Sequence, residues 1–274
     1  RVFDKKENLD LVFNWGLFSF ETNNFYLKFL KGETDYMLGA LYTQDFLNEY
    51  KQRNSVVWEQ VLNLTANEKK QLIHAILENY KPENRKYRYN FVFDNCATRP
   101  RDLIMSSIDG HISYLNSWES QTYRHAIGEY IGHETWLRFG IDLIFGYQAD
   151  KNMPQLQSMF LPEILKIEFV KSKKINSVSK SESPLIKESN TLISSIYEES
   201  KAASFIDKPF KVFLFLLILI FIISAYEFLL DKKYDTYIDT VLLLTTGAAG
   251  TIIFFLMFFE MFFCVNSQST SASL

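Results

Sequence analysis

The stretch YRYNFVFDNCATRPRDLIM, residues 87–105, carries the strongest structural signal in this chain. Aromatic residues occupy every second position over Tyr87–Phe93, which is the period of a β-strand with two different faces. Proline is tolerated only near the start of a helix, so Pro100 predicts that a helix begins close to Cys96. The stretch therefore predicts a strand that leads directly into a helix, with a cysteine at the junction.

Cys96 at this junction is a candidate nucleophile. The free N–H groups and the dipole at a helix N-terminus favour a thiolate, and Arg99 and Arg101 add positive potential, so the sequence predicts a lowered thiol pKa. Two simpler interpretations remain open. A lone cysteine is commonly an inert buried side chain, and the two arginines can equally bind Asp94 and Asp102.

Two further elements are predicted from local patterns. The segment LDLVFNW, residues 9–15, alternates apolar and polar side chains and predicts a strand with one buried face. Thr65 and Glu68 form a capping box, and apolar residues then recur at helical spacing until Pro82, which predicts a helix starting after Thr65. Together with the first stretch, these elements predict an α+β domain over residues 1–168.

The C-terminal part of the chain has the composition of membrane helices. Val212–Tyr226 is uncharged and, with its flanking residues, reaches the roughly twenty residues that a bilayer core requires. Thr240–Phe259 supplies a second apolar run after a short polar turn. We therefore predict an antiparallel hairpin over residues 209–265, with transmembrane helices at about 210–230 and 238–262. The lysines around the first span do not decide its orientation.

Composition limits the remaining possibilities. Ser, Lys and Glu dominate the region before the first apolar run, so residues 169–208 are predicted to be a polar linker. The net charge of −3, from 29 basic and 32 acidic residues, gives no reason to propose nucleic acid as a partner. The sequence shows no glycine-rich phosphate loop, zinc-spaced Cys/His set or paired-carboxylate motif, so no cofactor and no metal site is predicted.

Several segments of the soluble part resemble the Lnb N-terminal periplasmic domain family of Gram-negative bacteria. They are residues 13–38, 61–104, 136–150 and 157–165, and they span most of residues 1–168. The resemblance implies a soluble domain in the periplasm that is followed by helices in the bacterial inner membrane.

The FDNCATR run, residues 93–99, is similar to the nucleophile segment of permuted papain-like folds, which include lecithin retinol acyltransferase and the NlpC-type enzymes. The resemblance implies a permuted papain-like (NlpC-type) domain with additional helices. In such folds the catalytic histidine precedes the cysteine, here in a Gly-His pair expected just upstream of Arg1. The sequence as given is therefore expected to lack its own base and its true amino terminus. His133 is the best internal substitute, since it follows the cysteine as in unpermuted enzymes.

The resemblance also implies a function and a role for each candidate residue. The family is associated with thiol-dependent transfer of a phospholipid acyl chain to the N-terminal amine of bacterial lipoproteins, here through a Cys96 thioester. Asn14 is expected to orient the histidine, although an ordinary strand-end position explains it equally well. The Cys96 backbone N–H, helped by Asn95, is expected to stabilise the oxyanion, and Arg99 and Arg101 to meet the lipid phosphate.

Two other functions stay open. A cysteine peptidase or cell-wall amidase would use the same nucleophile with a different acceptor or substrate. A non-catalytic membrane-anchored scaffold would use the domain only to bind partners. A cysteine without its histidine loses most of its rate, so restoring the upstream Gly-His segment separates an enzyme from a scaffold.

Overall fold

The computed structural model describes residues 1–18, 28, 34–115, 119–131, 135–145, 147–195, 208–229 and 237–270. Within these ranges the strands are β1 (Val2–Asp4), β2 (Leu9–Leu17), β3 (Asp35–Tyr42), β4 (Val57–Leu62), β5 (Lys86–Arg88), β6 (Gly110–Ser113), β7 (Lys173–Asn176), β8 (Glu182–Pro184) and β9 (Ile186–Ile193). The helices are α1 (Thr43–Gln52), α2 (Ala66–Tyr80), α3 (Thr98–Ser106), α4 (Tyr123–Ile131), α5 (Trp136–Phe145), α6 (Gln155–Ser158), α7 (Pro162–Lys171), α8 (Pro209–Leu229) and α9 (Tyr237–Thr270). The chain forms two compact units, residues 1–120 with 154–198 and residues 121–153 with 199–274.

The first unit is an α+β structure built on an antiparallel sheet with the strand order β1-β2-β3-β5. The strand predicted at residues 9–15 is confirmed as part of β2. Trp15 at its inner face packs with Leu38, Ile76 and Tyr87 to form one hydrophobic core. Its indole N–H donates a hydrogen bond to Asn79 Oδ1 at 2.8 Å, so the polar atom of the buried ring has a partner.

Helix α2 has the predicted capping box. The Glu68 N–H donates to Thr65 Oγ1 at 3.2 Å, and the Thr65 N–H donates to Glu68 Oε2 at 2.7 Å. The helix ends at Tyr80, ahead of Pro82, and lies against β3 and α3. Buried Ile76 packs the helix against the core of the sheet. The capping box and the apolar spacing therefore favour the same helix.

The strand predicted over Tyr87–Phe93 is shorter in the structure, because β5 ends at Arg88 and a tight turn follows. Asn90 and Asp94 exchange two backbone hydrogen bonds of 2.9 and 3.1 Å. Asn90 Oδ1 also accepts hydrogen bonds from the backbone N–H groups of Val92 at 3.1 Å and Phe93 at 3.0 Å. This side chain–backbone bonding competes with the extended conformation and reverses the chain just before Cys96.

The first unit extends past residue 168, the predicted end of the soluble domain. Residues 173–193, which composition assigns to a polar linker, instead form β7, β8 and β9. Strand β9 pairs along β4, and β7 lies between β6 and β8. Leu185 is fully buried and packs with Phe169 and Ile186 in a second core. Strand pairing supplies backbone partners to a polar segment, and two or three buried apolar side chains then suffice to anchor it.

The second unit contains α4, α5, α8 and α9. Among the described residues, Pro209–Tyr226 of α8 is the one stretch long and apolar enough to cross a membrane. Among the residues whose side chains the structure describes, α9 contributes the shorter apolar stretch Asp239–Phe255. The predicted hairpin with a second crossing at about 238–262 therefore stays a prediction.

Candidate active site

Cys96 lies two residues before α3, as the position of Pro100 predicts. The junction is shaped by Asn95, whose Oδ1 accepts the N–H groups of Ala97 at 2.8 Å and Thr98 at 2.9 Å. The Asn95 N–H in turn donates to Thr98 Oγ1 at 2.8 Å. Asn95 thus supplies partners for the free N–H groups at the start of α3 and holds the backbone on both sides of the cysteine.

The other end of the Asn95 carboxamide is also engaged. Its Nδ2 donates to the carbonyl oxygens of Phe91 at 2.7 Å and Phe160 at 2.9 Å, and the residue is 3% exposed. These contacts tie the turn before Cys96 to the segment that precedes α7. They give Asn95 a structural role; the predicted help to an oxyanion stays a prediction.

The structure brings Asn14 and Cys96 to the same place on the sheet. They flank Gly16 of β2: a Cβ added to Gly16 would lie 3.1 Å from Asn14 Oδ1 and 3.9 Å from Cys96 Cβ. The Gly16 N–H donates to Asn14 Oδ1 at 2.8 Å, and the pairing of β2 with β3 shifts register between Asn14 and Leu17. At this irregularity Cys96 lies at ordinary van der Waals distance from the Gly16 position, whereas Asn14 Oδ1 lies closer to it.

Three tyrosines lie close enough to Cys96 for the charge of its thiolate to act on them. For Tyr36, Tyr87 and Tyr89, burial and then the negative charge of a Cys96 thiolate raise the pKa of the phenol. The rings of Tyr36 and Tyr89 are stacked with centroids 4.0 Å apart, and the Tyr87 hydroxyl donates to the Trp15 carbonyl at 2.5 Å. The aromatic alternation after residue 86 predicted that Tyr87 and Tyr89 share a face, whereas no sequence signal pointed to Tyr36.

The predicted lowering of the Cys96 pKa is wrong for the chain described here. Cys96 is exposed as a residue, but protein crowds its sulfur, and this burial raises the pKa of the thiol. A hydrogen bond from the Cys96 backbone N–H lowers the pKa of the thiol, but by less than burial raises it. The positive charge expected from Arg99 is matched by Asp94, which leaves little net field on the thiol. At neutral pH the group is therefore protonated, and a nucleophilic role requires a base.

Both predicted phosphate-binding arginines have partners within the protein. Arg99 makes a bidentate ion pair with Asp94, at 2.6 and 2.7 Å, and its guanidinium lies 3.9 Å from the centroid of the Tyr87 ring. Arg101 is 8% exposed and pairs with Asp102 at 2.7 Å. These are the alternative pairings that the sequence allowed, and they hold both side chains in fixed positions. A role in binding lipid phosphate stays a prediction.

In the described part of the chain no histidine is hydrogen-bonded to Cys96. His74 lies on the exposed face of α2, and His111 is exposed in β6. His125 in α4 contacts Gln121 Oε1 at 3.0 Å. His133, the predicted internal substitute, lies outside the described residues.

The described side chains include no group of three or more His, Cys, Asp or Glu residues that could hold a metal ion.

Comparison with known proteins places these features in a family. The model of the Lnb N-terminal periplasmic domain matches residues 2–128, which include Asn14 and Cys96. The model of the Lnb transmembrane domain matches residues 199–269, which include α8. No curated protein and no solved structure gives a match. The chain therefore belongs to the Lnb family, as a membrane protein whose N-terminal domain lies in the periplasm.

Proposed function

We propose that this protein is a thiol-dependent acyltransferase that moves an acyl chain from a phospholipid to the N-terminal amine of a bacterial lipoprotein. The proposal includes a permuted papain-like fold for the periplasmic domain. The observation that carries it is the meeting of Asn14 and Cys96 on either side of Gly16. A cysteine at a helix start, next to a strand that carries an amide, is the arrangement in which papain-like enzymes orient a catalytic histidine.

The first half-reaction would acylate the enzyme. A base removes the Cys96 proton, and the sulfur attacks the ester carbonyl carbon of the phospholipid. The carbon–oxygen ester bond breaks, the acyl group stays on sulfur as a thioester, and the leaving lysophospholipid oxygen takes the proton from the base. The phenols beside the thiol stay protonated because their pKa values are raised, so they can donate hydrogen bonds to the oxyanion that forms.

The second half-reaction would acylate the lipoprotein. The α-amino nitrogen attacks the thioester carbonyl, the carbon–sulfur bond breaks, and a new amide forms. The base accepts the proton from nitrogen and passes it to the departing Cys96 thiolate, which restores the thiol for another turnover. An amine acceptor in place of water makes the reaction a transfer rather than a hydrolysis.

A histidine supplied from upstream of Arg1 fits the requirement for a base. Asn14 Oδ1 already accepts the Gly16 N–H, and a carbonyl oxygen has two lone pairs, so it can also accept an imidazole N–H. An imidazolium next to Cys96 would favour the thiolate and reverse the effect of burial on the thiol pKa. This assigns Asn14 the role of a positioning residue.

A row of stacked rings offers a surface for the acyl chain. Phe18 stacks on Tyr36 at 4.9 Å between centroids, and Tyr36 stacks on Tyr89. Phe18 is 40% exposed, so part of this apolar row is accessible from solvent. An alkyl chain bound along this row would remove apolar surface from water, which favours binding by about 25 cal/mol for each Å² buried.

The non-catalytic scaffold is the second candidate. It is favoured by the raised pKa of Cys96 and by the absence of a histidine bonded to the thiol in the described residues. In that function the tyrosines and Asn14 would shape a binding surface, and alkylation of the thiol would not change the acylation of any lipoprotein.

Mass spectrometry of a lipoprotein's N-terminal peptide separates the two functions. Cells that express the complete protein would be compared with cells that carry Cys96→Ala, with Cys264→Ala as the matched control outside the periplasmic domain. Loss of one amide-linked acyl chain in Cys96→Ala alone is expected. Unchanged acylation in that variant would refute the acyltransferase and favour the scaffold.

A further inference from the structure

Helix α5 presents its apolar side chains to the outside. Its large hydrophobic residues are well exposed at Trp136 (42%), Leu137 (63%), Phe139 (38%) and Leu143 (36%). In a soluble protein an amphipathic helix buries this stripe and exposes its charges. A contiguous exposed apolar patch of this kind marks an interaction surface.

The charged side of α5 faces the protein. Arg138 and Asp142 form an ion pair of 2.7 Å along the helix, and Asp142 also pairs with Arg124 of α4 at 2.9 Å. The Arg138 guanidinium packs against Gly128 so closely that any Cβ there would overlap it. The Arg138 and Asp142 side chains are 18% and 34% exposed, so the ion-paired charges of α5 are no more exposed than its large apolar side chains.

The apolar side of α5 is continuous with the membrane-spanning helix. The rings of Trp136 and Phe139 lie 5.8 and 5.6 Å from the ring of Phe213 in α8, and α5 also lies against α9. Phe213 is four residues after the start of α8, which is about 6 Å along its axis. Helix α5 thus lies beside the first turns of α8, and interfacial helices insert their apolar faces about 5–10 Å into the boundary between headgroups and acyl chains.

We propose that α5 is an interfacial helix whose Trp136, Leu137, Phe139 and Leu143 side chains insert into the phospholipid bilayer beside α8. The occupant of the exposed face is lipid rather than protein, because the face joins a helix of the transmembrane domain and carries a tryptophan, a residue enriched at the headgroup level. The proposal gives a membrane contact to the region between the two family matches, residues 129–198, and it does not depend on the chemistry of Cys96.

Spin labels on the full chain in phospholipid nanodiscs test this inference. Labels would be attached at Leu137→Cys and, separately, at Leu143→Cys, in a background of Cys96→Ala and Cys264→Ser. Val178→Cys is the matched control, because Val178 is an exposed apolar residue (86%) in a turn of the first unit. Power-saturation measurements then compare the accessibility of each label to oxygen, which partitions into lipid, and to a water-soluble nickel chelate.

Both α5 labels are expected to favour oxygen over the nickel chelate, at a depth of about 5–10 Å below the headgroups, while the Val178 label favours the chelate. Equal accessibility to the chelate at all three positions would overturn the proposal, since α5 would then face water. Protection of the α5 labels from both reagents would also overturn it, because the face would then be covered by protein. The two α5 positions give independent readings if one variant fails to fold.

Discussion

Asn95→Ala tests whether the carboxamide of Asn95 holds the cysteine segment in place. Loss of the Oδ1 acceptor removes the partner of the Ala97 and Thr98 N–H groups, at a cost of about 1 kcal/mol. Loss of the Nδ2 donor leaves the carbonyls of Phe91 and Phe160 without this bond, at about 1 kcal/mol or more each. The free energy of unfolding is therefore expected to fall by about 3 kcal/mol.

Thermal unfolding of the purified full chain, followed by tryptophan fluorescence, measures this loss. For a domain of this size the expected decrease in Tm is about 6–12 °C. Asn95→Asp is the matched variant, because it keeps an acceptor for the helix cap but turns a buried carboxylate oxygen toward the Phe91 and Phe160 carbonyl oxygens. Its Tm should therefore fall at least as far as that of Asn95→Ala. A wild-type Tm in Asn95→Ala, combined with lost acyl transfer, would refute the structural role and make Asn95 a catalytic donor.

Four further predictions concern charge and access. Lys174→Met should lower the free energy of unfolding by about 3 kcal/mol, because it leaves buried Glu68 without its cation. Lys173→Met, which removes the exposed pair with Glu182, is the control and should cost less than about 1 kcal/mol. Urea unfolding measures both changes. Burial raises the Glu68 pKa, but its hydrogen bonds outweigh this effect and hold the pKa below the usual 4.5. The wild type should therefore lose stability as the pH falls below 4.5 and Glu68 is protonated. Lys174→Met should lose less stability over the same fall in pH, because it lacks the ion pair that protonation breaks. The rate of Cys96 alkylation by iodoacetamide should have its midpoint above pH 9.0 in this chain, and a midpoint below that value would contradict the burial argument. Gly16→Val should slow this alkylation and lower the Tm, because its side chain lies beside the thiol and its Cβ would already be 3.1 Å from Asn14 Oδ1.

Elements defined by neighbouring residues were predictable from the sequence. The capping box of Thr65 and Glu68 is a local exchange of hydrogen bonds, so its pattern is sufficient to start α2. The alternation over residues 9–15 likewise needs only one buried face to form β2. Pro100 placed the start of α3 within two residues of Cys96, because the restriction that proline imposes is also local.

Properties that depend on distant partners were not predictable in the same way. The strands within residues 173–193 exist because β4 and β6, more than a hundred and about sixty residues earlier, supply their hydrogen-bond partners. The Cys96 pKa depends on how protein groups crowd the sulfur, and a helix-start argument contains no information about that burial.

The sequence by itself determined the α+β composition of the periplasmic domain, the apolar helix at Pro209–Tyr226 and the position of the cysteine before a helix, because each follows from spacing and composition along the chain. Only the tertiary structure decided that Asn14 and Cys96 meet across Gly16 and that Tyr36 joins them. It also decided that α5 turns its charges inward, because a helical pattern shows that two faces differ but the surrounding elements select which face is exposed.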